Sequence, residues 1–219
     1  DESRFCSLKE PIQQHTSQES YEATVQRIRT HIEEGDVYEI NYCTEFSSTV
    51  DKLDPTALYR DLNRRSPMPF SAYLQLESWH LISASPERFL KKEGDLLISQ
   101  PIKGTRRRGT TPAEDAQLIE DLRQDPKEQA ENMMIVDLVR NDLARSCRPG
   151  TVKVEELFGI SSFAQVHQMI STVTGRLKPA VSFSEAIKAA FPMGSMTGAP
   201  KVKVMELIEH YETSRRGIY

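Results

Sequence analysis

The side chains able to do chemistry gather in four short stretches. Residues 100–109, QPIKGTRRRG, hold four cations within six positions. Three are the adjacent Arg106, Arg107 and Arg108; the fourth, Lys103, stands apart between Ile102 and Gly104. An amine held near low-dielectric walls has its charged form disfavoured, which frees its lone pair for nucleophilic attack. The plainer reading is a solvated lysine beside an arginine run. In PKEQAENMMIVDLVRNDLARSC, Glu128 and Glu131 are three residues apart, on one face of a helix. Two carboxylates one turn apart suit a hard divalent cation such as Mg²⁺, which prefers oxygen ligands. A helix start also favours carboxylates with no metal present. Asp137, Arg140, Asn141 and Asp142 in the same stretch read as helical ion pairs.

His167, in AQVHQMISTV, sits among apolar and hydroxyl residues. It reads either as a satisfied core histidine or as a proton donor or acceptor near neutral pH. PMGSMTGAPK supplies Gly194, Ser195, Thr197 and Gly198 just before a predicted helix. Backbone N–H groups there, with two hydroxyls, make an anion cradle, and the same residues also make an ordinary cap turn with Pro200 in the first helical turn. The P-loop pattern is absent.

These residues need elements to position them. The pattern predicts a helix over TSQESYEATVQRIRTHIEEGD, with Thr16 and Glu19 at capping-box spacing, Tyr21, Val25, Ile28 and Ile32 on one face, and Gly35 as the stop. VYEINYCTEFSSTV reads as a long strand. DPTALYRDLNRRSP is a short helix capped by Asp54. FSAYLQLE, WHLISAS and RFLKKEGDLLISQPI give three or four antiparallel strands, with a turn at Glu93-Gly94-Asp95. Two helices follow over about 112–123 and 126–143, the second burying Met134, Val136, Leu138 and Val139. GTVKVEELF and AQVHQMISTVTGRL are strand-like, the second with a helix as its alternative. SFSEAIKAAFP and KVKVMELIEHYE are helices, the first capped by Ser182 or Ser184. Residues 1–15 are polar and read as a linker or arm. The mixture is α+β with a largely antiparallel sheet.

Bulk properties narrow the classes. The 219 residues are 38% hydrophobic and 27% charged, as in a soluble globular protein. A net charge of −4 argues against a general polyanion binder, and three arginines without an aromatic platform do not make a nucleic-acid site. No apolar run approaches the ~20 residues of a membrane helix. Cys6, Cys43 and Cys147 fit neither a disulfide framework nor a zinc pattern, so a reducing cytoplasm is expected.

Seven segments in this order, GDVYEINYCTEF, SASPERFL, PIKGTRRRG, KEQAENMMIVDLVRNDL, RPGTVKV, VHQMISTVTGRL and GSMTGAPKVKVMELI, together resemble the chorismate-utilising enzymes. That family includes anthranilate synthase component I, aminodeoxychorismate synthase component I, and the isochorismate and salicylate synthases. The resemblance covers about residue 18 to the last. It implies a two-subdomain antiparallel β-sandwich with outer helices, here incomplete, with 1–17 as an arm and 18–219 as a chorismate-binding domain truncated at its C-terminal end.

The resemblance also implies roles. Anthranilate synthases usually carry alanine at the position of Lys103, and the lysine form is typical of aminodeoxychorismate synthases. There the lysine is expected to attack ring carbon 2 of chorismate as the carbon-4 hydroxyl leaves, before ammonia enters at carbon 4. Glu131 matches a Mg²⁺ ligand and Glu128 its acidic neighbour. His167 matches an active-site histidine, a proton donor to the departing hydroxyl. Ser195, with Gly194 and Thr197, falls on the substrate side. Glu39 stands where the aminating classes usually have glutamine and the water-adding classes lysine, which argues against water addition. The implied partners are chorismate, ammonia and a glutamine amidotransferase subunit. Anthranilate synthase component I and a non-catalytic chorismate-binding module, or inactive fragment, are the alternatives.

Overall fold

The structure, a computed structural model, describes residues 6–217. The chain forms two compact units. One is built from the chain up to Pro86 and from Val202 onward; the other is Glu87–Lys201.

The first unit contains β1 (Cys6–Leu8), β2 (Gln13–Gln14), α1 (Gln18–Glu33), β3 (Glu39–Ile40), β4 (Phe46–Ser47), β5 (Val50–Leu53), α2 (Pro55–Arg65), β6 (Phe70–Leu76) and β7 (Trp79–Ser85). Antiparallel pairs join β1 to β5, β2 to β4 and β6 to β7. The polar stretch expected to be an arm thus carries two paired strands, β1 and β2; its first five residues lie outside those described. The long strand expected over 37–50 is broken into short pieces. Between them the Cys43 N–H donates to the Glu212 carboxylate (2.9 Å) and the Asn41 carbonyl accepts from Arg216 (2.6 Å). Side chains thereby satisfy backbone groups that a ladder partner would have taken.

Helix α1 begins one residue later than its capping box suggests. The Ser17 hydroxyl accepts from the Ser20 N–H at 3.2 Å, while Thr16 is buried. Its inward face is Thr24 and Ile28, and Tyr21 and Ile32 are each 40% exposed. Asp54 caps α2 as expected, accepting from the Ala57 N–H at 2.9 Å.

The second unit contains β8 (Arg88–Glu93), β9 (Leu96–Gln100), β10 (Ile102–Arg107), α3 (Pro112–Gln124), α4 (Pro126–Ser146), β11 (Lys153–Ser162), β12 (Val166–Arg176), α5 (Phe183–Ala190), the single turn α6 (Gly194–Thr197) and β13 (Gly198–Ala199). Helix α7 (Lys201–Tyr211) begins at its end. The five-stranded antiparallel sheet is organised on β12, which pairs with β11 along its length, with β10 at Val166–Ile170 and with β9 at Val173–Arg176. The stretch with two readings is therefore a strand. Its alternate residues His167, Met169, Ser171 and Val173 are all 0% exposed.

Helix α4 covers this sheet. Ile135, Val136, Val139 and Leu143 form one core with Leu97 and Val173. Their i, i+3, i+4 spacing is one helical stripe, rotated from the expected one: Met134 and Leu138 are only half-buried. Each such side chain, fully buried, contributes roughly 1.5–3 kcal/mol. The capping box of α5 is present, on Ser182 and Glu185. The mixed α+β class with antiparallel sheets is as the sequence implies.

Candidate functional site

Lys103 lies where β10 is irregular. Ile102 faces Ile170 and Thr105 faces Gln168, so β10 advances three residues while β12 advances two. Such a bulge re-aims the side chains it carries. It is fixed by Gly104, whose φ of +95° is costly for any residue with a side chain. A Cβ there would lie 3.2 Å from Glu128 and Leu122 atoms. Lys103 itself is half-buried. The buried Asn132 amide spans its carbonyl (3.5 Å) and that of Met169 (3.4 Å), and its oxygen accepts from the Ser171 hydroxyl (2.5 Å).

Glu87, just before β8, is the partner that sequence reasoning missed. Its carboxylate accepts from the Ile102 N–H at 3.0 Å, and the Ser195 hydroxyl and the Lys103 charge both act on it. Burial pushes this carboxyl up, and Ser195, the Ile102 N–H and Lys103 pull it back down. A carboxyl so placed can exchange a proton with an adjacent amine or leaving group. The available signal was SASPERFL, where a lone acid follows proline at the start of an apolar strand. Asn132 was also legible. It begins the buried stripe of α4, where a polar residue needs internal partners.

Of the expected cradle, the structure brings Ser195 to Glu87. Gly194 answers to packing, since a Cβ there would meet Leu138 Cδ2 at 2.3 Å. Thr197 spends its hydroxyl on the Met193 carbonyl at 3.1 Å, and Pro200 precedes α7 rather than lying in its first turn. Glu39 is half-buried on β3 of the other unit.

His167 is not brought to Lys103. It stands opposite Arg106 in the register, three residues from Lys103, roughly 10 Å at the usual strand rise. It is fully buried, with Nδ1 2.8 Å from the Ser162 hydroxyl and Nε2 2.8 Å from Asp115. Both ring nitrogens are engaged, which makes it a satisfied core histidine.

The arginine run is used internally. Arg106 reaches Asp125 (2.6 Å) and Glu128 (3.2 Å), Arg107 pairs with Glu114, and Arg108 holds Asp115 (2.7 Å) and the Phe163 carbonyl (2.7 Å). It docks α3 and the start of α4 onto β10. In α4, Arg140 pairs with Asp137 (2.8 Å), as expected, but Asp142 turns to Lys201 at 2.7 Å.

Glu131 pairs with Lys127 at 2.9 Å, and the Lys127 side chain is 75% exposed. Such a surface pair is weak and easily displaced. Glu128 lies against Gly104. A carboxylate at the bulge, itself paired with Arg106, and a weakly tied second one a helical turn along are oxygen donors of the kind a hard divalent cation takes. Elsewhere among the described residues, ligand atoms of His31, Glu34 and Asp36 also lie within 4.8 Å of one another. There both imidazole nitrogens are already taken, by Asp36 (2.7 Å) and Tyr211 (3.0 Å).

The sequence profile described as chorismate binding enzyme matches residues 2–219. The chain belongs to this chorismate-binding family. It is 46% identical over 200 residues to aminodeoxychorismate synthase of Streptomyces pristinaespiralis, covering 91% of this chain and 28% of that protein. It is 42% identical to aminodeoxychorismate synthase component 1 of Klebsiella aerogenes, covering 93% of this chain and 45% of that one. The solved anthranilate synthase component I from Streptococcus pneumoniae superposes with a TM-score of 0.87 at 30% identity, over 99% of this chain and 46% of its own. The chain thus spans less than half the length of these chorismate-family relatives. Its fold is theirs. Among the described residues, no helix is long and apolar enough to cross a membrane.

Proposed function

We propose that this chain carries the lysine centre of an enzyme that aminates chorismate at ring carbon 4, giving 4-amino-4-deoxychorismate for p-aminobenzoate and folate synthesis. The observation that carries the reading is the meeting of Lys103, Glu87 and Ser195. The similarity to proteins named aminodeoxychorismate synthase supports it.

The chemistry follows from those three side chains. Lys103 is a nucleophile only as the free amine, and Glu87 is the nearby group able to take its proton. Attack of Nζ on carbon 2 forms a C–N bond, moves both ring double bonds (carbon 1–2 to 1–6, and carbon 5–6 to 4–5) and breaks the carbon-4 to oxygen bond. The hydroxyl leaves as water with a proton from Glu87. Ammonia then adds at carbon 4, both double bonds return to their original places and Lys103 departs from carbon 2. The net change is chorismate plus ammonia to aminodeoxychorismate plus water. Two easier displacements replace one difficult one. Ser195 orients Glu87 throughout. His167 is assigned a structural role, and the proton donation expected of it passes to Glu87.

Glu131 and Glu128 would hold Mg²⁺, which when bound neutralises the ring carboxylate and favours charge developing there. Ammonia is assigned to a separate glutamine amidotransferase subunit, in keeping with relatives named component 1.

The test uses the full-length protein with chorismate, ammonium and Mg²⁺. The expected product shows no anthranilate fluorescence until a lyase is added, and then yields p-aminobenzoate. Strong anthranilate fluorescence without a lyase overturns the assignment in favour of anthranilate synthesis.

A further inference from the structure

Beside Ser195 lies a small, partly enclosed cavity lined by Ser99, Pro101, Val139, Asp142, Leu143 and Ser195, among others. The centre of a water molecule has about 10 Å³ in which to move there, the room of one water. The lining is mixed. Val139 and Leu143 belong to the apolar core, yet Ser99 occupies the same core face of β9 as Leu97, and it is 4% exposed.

Asp142 supplies the second observation. It is 5% exposed, and its Oδ2 accepts from Lys201 Nζ at 2.7 Å. Its Oδ1 is buried and has no hydrogen-bond partner. A buried carboxylate oxygen left bare keeps its full desolvation penalty, and such atoms are satisfied by protein or by ordered water. Lys201 donates also to the Ala190 carbonyl at 2.7 Å. The Asp142–Lys201 pair therefore ties α4, the end of α5 and the turn bearing Ser195.

We propose that one buried water, held by Asp142 Oδ1 and the hydroxyls of Ser99 and Ser195, joins the Asp142–Lys201 pair to the Glu87–Lys103 site. The ligand class is a single neutral hydrogen-bond donor of water size. Asp142, Lys201 and Ser99 are positioning residues in this arrangement: they fix Ser195, and through it Glu87. The water site stands on the cavity and the bare oxygen alone; its effect on turnover rests on the chorismate-aminating reading.

The experiment is a crystal structure of the full-length protein, finer than about 2 Å, with kinetics of two variants. Wild type is expected to show one water within ~3.2 Å of Asp142 Oδ1 and of a serine hydroxyl. An empty cavity, or a direct protein partner on Oδ1, overturns the site whatever the enzyme catalyses. Ser99→Val fills the cavity and should expel the water, lowering kcat on the order of tenfold with KM for chorismate unchanged, in a protein that still folds but melts at a lower temperature because Asp142 Oδ1 loses its partner. Ser99→Ala, which removes one water ligand without adding bulk, should give a smaller fall in the same direction. A dry Ser99→Val cavity with wild-type kcat overturns the link to Glu87.

Discussion

Arg108 and Asp115 meet through two parallel hydrogen bonds, Nε to Oδ1 at 2.9 Å and Nη2 to Oδ2 at 2.7 Å. The Gly109 N–H adds a third at 2.7 Å, and His167 Nε2 lies 2.8 Å from the same carboxylate. One side chain of α3 thus gathers the exit of β10 and the start of β12. Bidentate guanidinium–carboxylate pairs are among the stronger polar contacts, and they fix direction as well as distance. This cluster engages the Arg108 guanidinium and, with the Ser162 hydroxyl, both ring nitrogens of His167.

Acid should expose the cluster. The hydrogen bond from Arg108, then that from the Gly109 N–H, hold the Asp115 carboxyl well below the usual carboxylate range, with burial opposing them. A carboxyl lowered on folding contributes fully above its unfolded value near 4, and the contribution fades as pH falls towards the folded value. Urea midpoints of the full-length protein should therefore fall between about pH 5 and 2, and fall less steeply in Arg108→Ala. Equal slopes in the two proteins would show that Asp115 does not carry this dependence.

Gly109 and Gly194 should respond differently to alanine. A Cβ on Gly109 would lie 2.3 Å from the Asp115 backbone nitrogen and 2.6 Å from its Cα, atoms that cannot swing aside. Helix α3 would have to lift. On Gly194 the clash at 2.3 Å is with the tip of Leu138, which can rotate. Gly109→Ala is expected to cost about 3 kcal/mol, or more, and Gly194→Ala about 1 kcal/mol. Denaturant unfolding ranks them, and the reverse order would mean that α3 is loosely docked.

What the sequence made legible depended on how local the physics was. Asp54 and Ser182 cap their helices because a cap is settled within four residues, and the turn at Gly94 likewise. The helical stripes came out rotated, since which side of α1 or α4 faces inward is decided by the partner that packs on it. The strand over 37–50 failed because Glu212 and Arg216, some 170 residues away, satisfy its backbone. Lys103 and Ser195 could be singled out by type and flank. Glu87, in SASPERFL, shows no role by type or spacing, because only its bond to the Ile102 N–H and its nearness to Ser195 and Lys103 disclose one. His167 has the residue type of a proton donor, and only Asp115 and Ser162 show that its ring is already occupied.

Glu87→Gln separates chemistry from folding. Burial raises the Glu87 carboxyl, so its ionised form is disfavoured in the fold and the neutral amide removes that penalty. The amide oxygen can still accept the Ile102 N–H. Thermal stability should be unchanged or slightly higher, while kcat falls by roughly 10²–10⁴ with little change in KM. A variant that loses stability and activity together would make Glu87 a structural group.

Lys103→Ala tests the covalent step. Wild type, quenched during turnover with chorismate, should show an intact mass increased by one ring adduct on the Lys103 peptide, and the variant should show none. Loss of the amine also removes one influence that lowers Glu87, so the variant carboxyl should titrate higher still. An adduct that persists in the variant, or wild type that never forms one under trapping conditions, would remove the nucleophilic role.

The cation assigned to Glu131 must compete with Lys127, which holds that carboxylate at 2.9 Å. Freeing the carboxylate should help the metal. Lys127→Ala is expected to lower the Mg²⁺ concentration for half-maximal activity by about twofold to fivefold, the weight of an exposed ion pair. Glu131→Ala should raise it at least about tenfold, and chelation of wild type should abolish turnover reversibly. Direct Mg²⁺ titration by calorimetry gives the same ordering without turnover. If Lys127→Ala leaves the requirement untouched while Glu131→Ala abolishes activity at every Mg²⁺ concentration, Glu131 acts on something other than the metal.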